Sequence, residues 1–147
     1  MNTIIRITLL FFVFSQQLIA QQNKFSKIYN DKNKLIEEGN ITNGKMVGAW
    51  KFYDDSLSFL VKIETYKDDY LDGSYIKFNS NGVVICSGYY SIKAKKNYKK
   101  YVKDLDCYAF STEALPVGNW FYYDNDGKLI RCEIYSSKGK LKRIEKF

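Results

Sequence analysis

Two acidic pairs, Asp54-Asp55 and Asp68-Asp69, are the first residues whose types suit catalysis, because glycoside cleavage uses two carboxylates flanking one bond. Neighbours on an extended chain point to opposite faces, and both pairs sit among turn formers. They therefore read as solvated turns and not as a catalytic pair. The run DNDG, from Asp124 to Gly127, invites a calcium reading, since Asp124, Asp126, Gly127 and Glu133 fall at ligand or turn positions of an EF-hand loop. Tyr122 occupies the first ligand position, however, and both flanks look like strands, so a hairpin turn is the better reading. The three cysteines, Cys86, Cys107 and Cys132, contain no C-x-x-C, which argues against zinc and redox motifs. Histidine is absent, removing the commonest general base and metal ligand, and no G-x-S-x-G elbow is present. A non-enzymatic protein with no metal and no cofactor is expected.

The residues best suited to binding are lysines. Lys93, Lys95, Lys96, Lys99, Lys100 and Lys103 cluster around Tyr98 and Tyr101 in a chain of formal net charge +7. Interleaved basic and aromatic side chains suit single-stranded nucleic acid, but also any anionic surface. The N-terminus decides between them. MNTIIR carries a positive charge at Arg6, ITLLFFVF is apolar, and SQQLIA ends on the small residue Ala20. This pattern predicts a cleavable secretory signal over residues 1–20, with cleavage before Gln21, and it is too short to span a bilayer as a helix. No cysteine follows the expected cleavage point, so lipid attachment is not indicated. The mature chain is expected to be secreted or periplasmic, with no transmembrane segment. Its partner is then an unidentified protein or an anionic envelope component, with peripheral membrane contact allowed and nucleic acid not expected. The candidate binding residues are Lys95, Lys96, Lys99, Lys100, Tyr98 and Tyr101. Their bland alternative is a solvated loop.

The elements that position these residues follow from an internal repeat. The last unit serves as a ruler: Gly118, Trp120, Tyr123, Gly127, Leu129, Tyr135 and Gly139. Gly73, Tyr75, Phe78, Gly82, Val84 and Tyr90 match its offsets, and Gly48, Trp50 and Tyr53 begin a third unit that runs to Phe59, with Leu57 where the turn glycine should be. A partial unit precedes it at Tyr29, Asn33 and Leu35. Each unit reads as a hairpin: an aromatic strand, a polar turn with glycine where φ must be positive, and a β-branched return strand. Trp120 and Tyr123 are three apart, as are Trp50 and Tyr53, so each pair should straddle the sheet. The tryptophans and Tyr75, recurring in register, are expected to form the core of the sheet, with a ligand-binding stripe on an uncovered face as the alternative. One domain over 21–147 is predicted, with units at about 29–47 (partial), 48–72, 73–95 and 118–147, and an insertion over 96–116 that forms a loop or an extra strand. If the insertion folds back over the sheet, Cys107 bridges Cys86 or Cys132.

The pattern G-x-[WY]-x-x-[YF]-x-x-x-G-x-[LV], joined by linkers such as NGKMVG, resembles the bacterial variant of the MORN (membrane occupation and recognition nexus) repeat over most of residues 29–147. The resemblance implies an all-β fold, an elongated antiparallel sheet of successive hairpins. Some bacterial members are labelled antitoxin-like, and eukaryotic members are linked to membranes and scaffolding. The function so implied is an exported interaction or scaffold module, with an antitoxin-like or immunity-type inhibitor of one cognate protein as the alternative.

Overall fold

A computed structural model describes residues 22–102 and 107–147, and the side chains among these outside 94–113. The expected signal peptide, 1–20, lies outside the described residues. Nine strands follow one another: β1 (Asn23–Tyr29), β2 (Leu35–Thr42), β3 (Lys45–Tyr53), β4 (Leu60–Lys67), β5 (Tyr70–Phe78), β6 (Val84–Val102), β7 (Cys107–Tyr123), β8 (Leu129–Tyr135) and β9 (Leu141–Lys146). They pair antiparallel in chain order to form one open sheet, and no helix occurs among the described residues. The fold is all-β, an array of successive hairpins.

One turn chemistry recurs. Asn30, Asn79 and Asp124 each accept from two backbone N–H groups, two and four residues on, at 2.9–3.0 Å. The Ser136 hydroxyl accepts likewise from Lys138 and Lys140. The residue three positions on holds positive φ: Asn33 at 58°, Gly82 at 79°, Gly127 at 84° and Gly139 at 72°. A polar side chain that closes the loop onto its own backbone, followed by a left-handed residue, reverses the strand within four positions. One residue of each return strand, Ile36, Ile85, Ile130 or Lys142, is then skipped by the ladder. Such a bulge adds twist at the same place in each hairpin.

The Asp54 turn departs from this rule. Leu57 does not take the left-handed position assigned to it by spacing; Ser58 does, at φ 60°. The loop is one residue longer, so Leu60 and not Phe59 stands opposite Tyr53, as Leu129 stands opposite Tyr123. At the other end of the strands, Asn43-Gly44 and Asp68-Asp69 form two-residue turns with both φ values positive, which suits the natural twist of a hairpin. The acidic pair Asp68-Asp69 is thus turn chemistry.

The described residues of the insertion, 96–102 and 107–116, form neither a loop nor a separate strand. They lengthen β6 to 19 residues and β7 to 17. The ladder to β5 ends at Tyr90 and that to β8 begins at Gly118. Beyond those points β6 and β7 pair, among the described residues, only with each other, out to Val102 opposite Cys107. The result is a two-stranded arm that leaves the sheet.

Every described element lies in this one layer, so burial comes from within it. Trp50 and Trp120 are 1% and 4% exposed. Each indole lies on a glycine of the neighbouring strand, Gly39 under Trp50 and Gly88 under Trp120, where any added Cβ would overlap the ring. Each indole N–H also donates to a backbone carbonyl beside that glycine, Asn40 at 3.1 Å and Tyr89 at 3.2 Å. Tyr75 and Tyr90 complete the second seat, with centroids 5.5 and 4.8 Å from the Trp120 ring. Such aromatic contacts add about 0.5–1.5 kcal/mol each beyond their area.

Candidate functional site

Register assigns the two faces. Residues directly opposite in an antiparallel ladder share a face, so Trp50, Glu64, Tyr75 and Gly88 form one row. The other face carries a row across all nine strands: Lys27, Glu38, Lys51, Ile63, Ile76, Ser87, Phe121, Cys132 and Glu145. Tyr53 donates to Glu38 in that second row, so Trp50 and Tyr53 do straddle the sheet as their spacing predicts.

Three carboxylates organise these faces; motif spacing missed Glu38 and Glu64 and singled out Glu133 only as a calcium position. Glu64, 5% exposed, accepts from Tyr66 at 2.8 Å and pairs with Lys62 at 2.9 Å. Lys62 also lies 4.5 Å from the centroid of Phe52. Glu133 accepts from Tyr122 at 2.9 Å and from Tyr135 at 2.8 Å. Arg131 Nε approaches Glu133 to 3.3 Å without a hydrogen-bonding angle, and its guanidinium stacks 4.0 Å over Tyr122. Charge proximity and cation–π contact hold that arginine. Glu38 accepts from Tyr53 at 2.8 Å and from Lys51 at 3.1 Å. The Tyr53 and Lys51 donors hold the Glu38 carboxyl below its ordinary value. Burial, helped by the adjacent carboxylates, pushes Tyr53 and Tyr135 up to about 12 and raises Tyr66 and Tyr122 further. Glu38 and Glu133 brace neighbouring strands through Tyr53, Lys51 and Tyr122, whereas Glu64 is satisfied within its own strand by Lys62 and Tyr66. The sequence signal was a recurrent E-x-Y, in Glu64-Thr-Tyr66 and Glu133-Ile-Tyr135, on the return strands.

The remaining predicted residues fall into two groups. Gly48, Gly82, Gly118 and Gly127 hold φ between 67° and 84°, and Gly73 holds 146° with Thr65 against it. These glycines, with Trp50, Tyr53, Tyr75, Phe78, Trp120 and Tyr123, lie in the strands and turns of the sheet. Lys95, Lys96, Lys99, Lys100, Tyr98 and Tyr101 all fall instead on the outer half of β6, in the arm. There Lys96 stands opposite Glu113, Lys99 opposite Phe110, Lys100 opposite Ala109 and Tyr101 opposite Tyr108.

The expected bridge from Cys107 is not formed with either candidate: Cys86 and Cys132 are both free, buried thiols. Cys107 sits at the far end of the arm, and the other two occupy opposite faces, Cys86 in the Tyr122 row and Cys132 in the Phe121 row. An insertion that extends the ladder does not fold back across it. Asp124, offered by the calcium reading, spends its carboxylate on the backbone of its own turn. Among the described residues, no three acidic or cysteine side chains converge as a metal site. No described helix is long and apolar enough to cross a membrane. No known family model, curated protein or solved structure matches the chain.

Proposed function

We propose that this protein is an exported, non-enzymatic interaction module of the MORN-repeat type, and that its basic arm contacts an anionic envelope surface or the acidic face of a partner protein. The repeat identity is supported by recurrence of the glycine–aromatic pattern and by hairpins arrayed in chain order. The observation that carries the contact surface is register. Lys93, Lys95, Lys96, Lys99 and Lys100 occupy a stretch of β6 with no lateral neighbour but β7 among the described strands. Positive charge set away from the body of the sheet meets a flat anionic surface with little steric obstruction, and such attraction is screened over about 8 Å at physiological salt.

The test replaces Lys95, Lys96, Lys99 and Lys100 by Gln and measures binding to vesicles containing anionic lipid, and to an envelope extract, at low and physiological salt. The variant is expected to lose most of the binding with an unchanged melting temperature, because lysines on a two-stranded ribbon add little to folding. Equal binding by variant and wild type at low salt would remove the arm from the contact surface. Recovery of one stoichiometric protein with no lipid binding would favour the immunity-type inhibitor.

A further inference from the structure

The two edges of the sheet differ in a way that points to a partner. β1 is exposed along nearly its whole length, and its only charges are Lys24 and Lys27. β9, also exposed, runs LKRIEK and so carries both signs. Its backbone orientation is set by one bond: the Phe147 N–H donates to the Ile130 carbonyl at 3.1 Å. Donors alternate sides along a strand, so the N–H and C=O groups of Arg143 and Glu145 face β8, and those of Ile144 and Lys146 face outward. No described strand meets them. Exposed edges of this kind accept another strand unless something prevents it.

We infer that β9 is a self-recognition edge, which pairs antiparallel with β9 of a second copy about a two-fold axis at Ile144. Only pairings that oppose outward-facing residues can form ladder bonds, which leaves few registers. In the register centred on Ile144, the two Ile144 side chains, 48% exposed in the single chain, meet on the Trp120 face. On the other face Arg143 of each copy stands opposite Glu145 of its partner, twice by symmetry. Arg143 and Glu145 already lie in contact within one chain at 2.5 Å, so both side chains are on the required face and the pair becomes a four-charge cluster. Lys142 and Lys146 fall opposite each other at the ends, a solvated repulsion that keeps the contact weak. The same operation on β1 sets lysines near lysines with no acid to offset them. The second copy is therefore the occupant that the charges of β9 select. The joint continues the sheet from nine strands into a second nine, and it turns one arm into two, which strengthens any contact made through the arms.

So short a joint lies well below the area of stable interfaces, and a reversible, concentration-dependent dimer is expected. Sedimentation of the protein from the micromolar range to about 1 mM tests it, together with amide exchange at Ile144, which should slow as concentration rises. Ile144→Pro removes an outward N–H without touching the β8 ladder, so it should abolish dimerisation at unchanged melting temperature. Arg143→Glu and Glu145→Arg should each weaken association several-fold, and the double reversal should restore it. Monomer throughout the range, or association unchanged by Ile144→Pro, would overturn the inference. So would a double reversal no better than either single change.

Discussion

Substituting Gly39 by Ala tests the central claim about how a single-layer sheet holds together. Gly39 lies in β2 without positive φ, so alanine is acceptable to its backbone and should stabilise by about 0.4–1 kcal/mol through the unfolded chain. The native contact argues the opposite. A Cβ at Gly39 falls inside the Trp50 indole, 2.5 Å from both Cγ and Cε2, and the ring is 1% exposed. The ring must then lift. Forced repacking of this kind costs about 1–3 kcal/mol, and breaking the indole bond to the Asn40 carbonyl adds roughly 0.5–1.5 kcal/mol. The net loss is about 2–3 kcal/mol, or roughly 10 °C in melting temperature for a domain of this size. Thermal unfolding followed by circular dichroism reads the loss, and tryptophan fluorescence should shift to the red as Trp50 meets water. The decisive control is a cycle with Trp50→Ala. In that background Gly39→Ala should cost nothing or stabilise, because no ring remains to be displaced. Equal penalties in both backgrounds would refute the seat as the cause, and an unchanged melting temperature in the single variant would refute the packing itself.

Gly127→Val should destabilise by about 1 kcal/mol or more, since φ there is 84° and a Cβ approaches Val83 at 3.2 Å; an unchanged urea midpoint would contradict the turn. Alkaline pH should unfold the protein early. Tyr53 and Tyr135 are raised from an unfolded value near 10 to about 12, so the stability they contribute is complete below pH 10 and is lost as pH rises through about 12. Melting temperature against pH, read beside tyrosinate absorbance, checks this, and Tyr53→Phe with Tyr135→Phe should flatten the fall. A fall of the same size in that double variant would place its origin elsewhere.

Hairpin order, strand type and turn chemistry were legible in the sequence because they are local. Glycine after a polar triplet at Gly82 and Gly127 requires a left-handed residue wherever the chain goes, and three-residue spacing sends Trp50 and Tyr53 to opposite faces of any strand. The one turn misread, at Leu57, differs by a single inserted residue, and spacing alone does not say where an insertion is absorbed. Tertiary structure decided what depends on a neighbour across the sheet. Gly39 and Gly88 are ordinary strand positions until register sets an indole on each. Glu38 and Glu133 are surface charges on paper, and only pairing brings Tyr53 and Tyr122 to them, whereas Tyr66 reaches Glu64 from two residues along the same strand. The bridge expected from Cys107 to Cys86 or Cys132 fails for the same reason, since the number of residues between two cysteines does not specify whether the intervening chain folds back or runs on as strand. Local conformation is set by each residue's own backbone preferences, whereas register is set by which pairing buries both tryptophans at once. That second choice belongs to the whole sheet and to no short stretch of it.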